Sequence, residues 1–221
     1  MASEPTIQQL LDLSGKVALI TGASGYLGQS MSRALAEAGA GVVVSSREQA
    51  RAQGLAAELP AVGSAKHHGV QLDYMDEASI QKGVADAIAA AGRVDILVNN
   101  GYERVTADWT NVTGEQFTRQ LMNATGCFLL AREVWRHATE RGGGASIIMI
   151  GSMYGMLGSY PDAYEGICMA SPVAYHALKG GVLNLTRHLA VYWAKDGVRV
   201  NSLSPGPFPA TAVNPELKAR L

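Results

Sequence analysis

Thr21-Gly22-Ala23-Ser24-Gly25-Tyr26-Leu27-Gly28 follows the apolar run Val17-Ala18-Leu19-Ile20 and opens a stretch that reads as helical to residue 38. That order decides the fold. Glycines between a strand and a helix permit a tight turn, let the backbone approach a pyrophosphate and allow helix and strand to pack closely. The first helical turn then offers unpaired N–H groups and the positive end of its dipole to phosphate oxygens. Gly22, Ser24, Gly25, Tyr26, Leu27 and Gly28 are therefore candidates for holding a dinucleotide. Glycine turns are common, and it is the position at the first strand of an alternating chain that gives this one its functional reading.

The alternation continues outward. Runs at 16–21, 41–46, 68–72, 95–99, 146–151 and 198–203 read as strands. Most are continuous apolar segments, the pattern of strands buried on both faces. Residues 25–38, 48–59, 77–91, 114–141 and 174–195 read as helices, with Gly39 and Gly92 closing two of them. This predicts a single α/β domain over 1–221, a Rossmann-type doubly wound parallel sheet in three layers. The longest irregular segments are 153–172 and 204–215. Long loops in a compact domain are usually functional or mobile.

The charge balance, 18 basic against 19 acidic residues, argues against nucleic acid or an anionic membrane as the main partner. No apolar stretch approaches the roughly 18–20 residues of a membrane span. The first residues carry Glu4 and Pro5 without an apolar run, so no signal peptide is expected. Cys127 and Cys168 stand far apart and read as reduced thiols of a cytoplasmic protein. His67-His68 has no evident third ligand, so no metal is predicted.

Tyr175 and Lys179 lie one helical turn apart in Tyr175-His176-Ala177-Leu178-Lys179, so the ammonium can reach the region of the phenol. A phenol ionises near pH 10, and a neighbouring cation favours the phenolate. The pair is a plausible general acid/base. The second candidate strand ends Ser45-Ser46-Arg47. An NAD site usually places a carboxylate there for the ribose 2′-OH. Ser46 and Arg47 suit a 2′-phosphate instead, which predicts NADP(H) in preference to NAD(H).

With these pieces in order the chain resembles the short-chain dehydrogenase/reductase family along essentially its whole length. Leu13-Ser14-Gly15-Lys16-Val17 is similar to the family's opening strand. The resemblance implies an adenine contact for Asp73, and Asn99-Asn100-Gly101 falls at the fourth-strand asparagine motif. Asn123 falls where the family carries a water-holding Asn, and Ser152 where it carries the substrate-orienting Ser. Pro205-Gly206 matches the turn flanking the nicotinamide. Ser152, Tyr175, Lys179 and Asn123 are thus the implied catalytic set. Asn99, Gly101, Pro205 and Gly206 join the cofactor contacts, with Tyr175 and Lys179 serving both roles.

The chain also departs from the pattern. Tyr26 occupies the middle glycine of the short, single-domain branch, and Gly25 comes one place early, as in epimerase-like members. Gly101-Tyr102 replaces Ala-Gly, and Leu178 replaces a small residue. The distance from Ser152 to Tyr175, 175 − 152 = 23 positions, is about ten more than is usual, marking a substrate-side insertion at about 153–174. The family's last strand and part of its substrate loop are expected to be missing beyond Leu221.

The resemblance implies hydride transfer between nicotinamide and a carbonyl or secondary alcohol, in a homo-oligomer such as a tetramer. Tyr154, Tyr160, Asp162, Tyr164 and Glu165 in the insertion suit a sugar-like, polyhydroxylated substrate. A nucleotide-sugar epimerase or dehydratase, and a non-catalytic dinucleotide-binding protein, are the alternative readings.

Overall fold

Ala18, Leu19 and Ile20 are all fully buried because the strand they occupy, β1 (Val17–Ile20), is covered on both faces. The computed structural model describes residues 4–208 and 213–220. Beside β1 lie β2 (Gly41–Ser46) and β3 (His68–Gln71) on one side, and β4 (Ile96–Asn99), β5 (Ala145–Ile150) and β6 (Val198–Leu203) on the other. Every ladder is parallel, in the order β3-β2-β1-β4-β5-β6. The order reverses between β1 and β4, and in such sheets ligands bind in the crevice at the strands' carboxyl ends.

The crossovers are α2 (Tyr26–Glu37), α3 (Gln49–Ala57), α4 (Glu77–Ala91), α5 (Gly114–Glu140) and α7 (Val173–Trp193). Alternation along β1 splits the core in two. Leu19 joins Val43, Leu97 and Ile147 against α4, α5 and α7, whereas Ala18 and Ile20 join Val42 and Val44 against α2 and α3. Each fully buried Leu or Ile here contributes about 2 kcal/mol.

Local signals set the ends of the helices. Asp76 caps α4 by accepting from Ser79 N at 2.6 Å, and Gly92 closes it with φ +79°. Thr113 and Gln116 form a reciprocal capping box at the start of α5. Asp95 pins the bottom of the sheet: its carboxylate accepts from Val17 N at 3.0 Å and from Arg141 at 3.0 Å, and also from Arg93. Burial works to raise its pKa, but these donors prevail and hold it below the usual carboxylate range.

All six expected strands are present within a residue or so of their expected ends. Helices α1 (Ile7–Leu11), α6 (Pro161–Tyr164) and α8 (Pro215–Arg220), and a 3₁₀ turn at Met153–Gly155, are additional. Of the loop expected over 204–215, residues 209–212 lie outside the described residues.

Candidate active site

Gly22 takes φ +64°, and a Cβ there would lie 2.8 Å from the Asn100 amide nitrogen. A Cβ on Gly28 would lie 2.1 Å from Gly22 O, so α2 begins directly on the turn. Gly25 is the N-cap of α2 and supplies no side-chain cap. The N–H groups of Tyr26, Leu27 and Gly28 are therefore left for a ligand, as first-turn donors have no intrahelical acceptor. Tyr26 replaces the middle glycine without conflict because its side chain is largely exposed.

Two cavities meet at this turn. One, of about 410 Å³, is lined by Ser46, Arg47 and Asp73, and by Gly101 from the loop after β4. The other, of about 800 Å³, is lined by the turn itself and by Ser152, Tyr175 and Lys179, with Pro205 and Gly206. Gly22, Ser24, Tyr102 and Arg104 line both, so they form one cleft along the carboxyl ends of the strands. An uncapped helix N-terminus seated on side-chain-free glycines fits a dinucleotide's pyrophosphate.

Asn99 is not among these lining residues. It is 2% exposed, with its amide nitrogen donating to Cys127 O at 2.8 Å, so it ties β4 to α5. Alternation along β4 turns it away from the cleft, where Asn100 and Gly101 stand instead. A Cβ on Gly101 would lie 3.1 Å from the Tyr74 ring and 3.2 Å from Thr21 Oγ1, which explains a small residue at that place. Arg51 also lines the smaller cavity, four residues beyond Arg47 in the sequence.

Tyr175 and Lys179 rise from the start of α7. Lys179 is 8% exposed, its Nζ donates to Ile150 O at 2.7 Å, and it lies 5.6 Å from the Tyr175 ring centroid. It also lies 5.7 Å from the Tyr102 ring, which meets Tyr175 edge-on at 5.4 Å. Burial pulls the Lys179 pKa below the ordinary lysine value, and the same cause pushes Tyr102 up to about 12. Tyr102 thus forms part of the cluster. Its departure from Ala-Gly gave the signal, but sequence alone did not place the ring.

Ser152 follows β5 and is buried, its Oγ accepting from Tyr154 N at 3.1 Å. That leaves the hydroxyl proton for another acceptor. Gly155 brings this turn onto α7: a Cβ there would lie 2.8 Å from Lys179 O. The close approach lies here rather than at Gly180 or Gly181, where a Cβ meets nothing nearer than 3.6 Å. Leu178 is a core residue. Asn123 is 2% exposed, and its amide is taken up by backbone: Oδ1 accepts from Glu103 N at 2.8 Å, and Nδ2 donates to Glu103 O and Gln120 O.

The segment 153–174 packs beside Ser152 and Tyr175. The Tyr154 and Tyr164 hydroxyls are hydrogen-bonded, and the Tyr154 ring stacks on His176 with centroids 4.7 Å apart. Both tyrosines, with Ser152 and Tyr175, line a further cavity of about 480 Å³. Arg220 of α8 donates to Asp162 O and Glu165 O and ties α8 to the middle of that segment. Among the described residues no cluster of His, Cys, Asp and Glu could hold a metal, and no helix is long and apolar enough to cross a membrane.

Fold and cleft together define a dinucleotide-binding α/β domain with a tyrosine–lysine–serine centre at its switch point. The short chain dehydrogenase family profile matches residues 16–221, and the chain belongs to the short-chain dehydrogenase/reductase family of oxidoreductases. It is 34% identical to the D-threitol dehydrogenase of Mycolicibacterium smegmatis over 92% of this chain and 74% of that one. A gluconate 5-dehydrogenase from Burkholderia cenocepacia J2315, solved with NADP and tartrate, superposes with a TM-score of 0.78 at 29% identity, over 90% of this chain and 74% of that one. A 3-ketoacyl-(acyl-carrier-protein) reductase from Brucella melitensis, solved with NADH, gives 0.73 at 32% identity, over 88% and 76%.

Proposed function

We propose that the protein is an NADP(H)-dependent oxidoreductase that interconverts a secondary alcohol and a carbonyl on a polyhydroxylated, sugar-like substrate. The observation that carries this reading is the convergence of Tyr175, Lys179 and Ser152 on one wall of the cleft that begins at the glycine turn. The relatives' names support the substrate class: one acts on threitol, another on gluconate. NADP(H) is favoured over NAD(H) because β2 ends in Ser46 and Arg47 rather than a carboxylate, and Arg51 adds a second cation to the same cavity.

When bound, the nicotinamide accepts or supplies the hydride. Tyr175 Oη takes the substrate hydroxyl's proton as the alcohol carbon loses hydride and the C=O bond forms, and it returns that proton in reduction. Lys179, fixed by Ile150 O, places a cation beside the Tyr175 ring, 5.6 Å from its centroid. Ser152 Oγ donates to the oxygen as negative charge develops there, an interaction stronger in the transition state than in the ground state. Asn123 and Gln120 act at one remove by fixing the loop at Glu103.

A panel of polyols, sugar acids and ketones assayed with NADPH/NADP and with NADH/NAD tests the proposal. Net, stoichiometric cofactor conversion with NADP(H) preferred is the expected result. Binding without conversion would favour a non-catalytic or cofactor-recycling role. We also read the protein as a homo-oligomer pairing through α5 and α7, whose Val191 and Tyr192 are strongly exposed; light scattering checks this.

A further inference from the structure

We propose that Arg104 binds a carboxylate of the substrate, which makes the preferred substrate a polyhydroxy acid rather than a neutral polyol. The inference rests on the hydroxyl-oxidising reading above and narrows it. Among the described residues lining the 480 Å³ substrate-side cavity Arg104 is the one charged residue, and none of them carries a carboxylate. The same wall carries the hydroxyls of Ser152, Tyr154, Tyr164 and Tyr175. One cation among neutral hydroxyls is the chemistry of a ligand with an anionic end and several OH groups. A guanidinium fork also matches a carboxylate with two parallel hydrogen bonds.

Arg104 is also unspent. Its side chain makes no hydrogen bond or ion pair among the described residues, while Arg119 takes the neighbouring carboxylate of Glu103 at 2.6 Å. The backbone on both sides of it is clamped. Glu103 N–H donates to Asn123 Oδ1 and to Tyr74 Oη, each at 2.8 Å, and Val105 N–H donates to Gln120 Oε1 at 3.0 Å. Gln120 and Asn123 are 0% and 2% exposed, so two buried amides hold the short segment that presents this cation. Sites gain precision when such supports lock them.

Cofactor phosphates form the competing claim, because Arg104 also lines both halves of the dinucleotide cleft. Those phosphates have their own partners in the first turn of α2 and in Arg47 and Arg51. Arg104 alone of these cations reaches the substrate-side cavity.

D-Gluconate and D-glucitol share their chain of hydroxyls and differ in carrying a carboxylate or a CH₂OH at C1, so they isolate the charge. Each is titrated calorimetrically into the protein–NADP⁺ complex, and kcat/KM is measured in parallel, for the unmodified protein, R104Q and R104K. The expected result is gluconate binding at least about 10-fold tighter than glucitol. R104Q should abolish that advantage, R104K should restore part of it, and NADP⁺ affinity should stay within about two-fold throughout. Equal or better binding of glucitol, no binding of either compound, or a parallel loss of NADP⁺ affinity in R104Q would each overturn the assignment. Arg104-dependent binding of gluconate without turnover would support the carboxylate site and count against hydride transfer, so the two readings fail separately.

Discussion

Lys179 Nζ donates a 2.7 Å hydrogen bond to the carbonyl oxygen of Ile150, the last residue of β5. The bond orients a buried ammonium beside the rings of Tyr102 and Tyr175, at nearly equal distance from each. Removing the cation while keeping side-chain bulk, as in Lys179→Met, leaves the Ile150 carbonyl without this donor and Tyr175 without its charge partner. Turnover should fall by about 10²-fold or more, with the fold retained by circular dichroism. A Lys179→Met protein with near-normal kcat would remove the lysine from proton transfer.

Behind the same lysine, burial pushes the Cys127 thiol up to about 11, with the Lys179 cation pulling the other way. In the unfolded chain a thiol ionises near about 8.5. Between those values the native state keeps a proton that the unfolded chain has lost. This contribution to stability is therefore complete below about pH 8.5 and is lost as pH rises, at up to about 1.4 kcal/mol per pH unit. Urea midpoints at neutral pH and at about pH 10 should converge in Cys127→Ala relative to the unmodified protein. An unchanged alkaline slope would assign the loss to other groups.

The pairing of Arg47 with Arg51 predicts cofactor choice. A hydrogen bond to a charged group is worth about 1.5–3 kcal/mol. The double variant Arg47→Ala/Arg51→Ala should therefore lower NADPH affinity by about 10-fold or more and leave NADH affinity nearly unchanged. Fluorescence titration of each cofactor reads this directly. Equal losses for both would mean that the arginines do not read the 2′-phosphate.

Gly28 predicts a packing effect. An alanine methyl would sit 2.1 Å from Gly22 O, a backbone atom that can yield only by moving the turn. Gly28→Ala should cost about 1–3 kcal/mol, typical of overpacking, and weaken dinucleotide binding with it. Thermal unfolding with and without NADP⁺ measures both. A normal melting temperature with normal cofactor stabilisation would mean the turn tolerates a side chain.

The sheet was readable because β1, β2, β4 and β5 are continuous apolar runs, and their glycine and capping signals fall where period and burial change. The shorter elements were not. Helix α6 begins at Pro161 in a segment rich in tyrosine and glycine, and it is held by Arg220, 58 residues on from Asp162, a contact no local pattern encodes. The site divides in the same way. Tyr175 and Lys179 are a helical-turn pair and could be read locally. The position of Tyr102 against both, and the clamping of Glu103 by Asn123 and Gln120, depend on bringing the loop after β4 against α5 and α7. Asn99 shows the converse, since a motif position suggested the cofactor while strand alternation sends the side chain into the core.

Tyr175→Phe tests the central claim most directly, because it removes one oxygen and keeps the ring that packs against Tyr102. With a substrate found in the panel, steady-state turnover and NADP⁺ affinity should be measured on the same preparation. The account predicts kcat lower by about 10²-fold or more, with NADP⁺ binding unchanged. Unchanged turnover would contradict it and take the proton away from Tyr175.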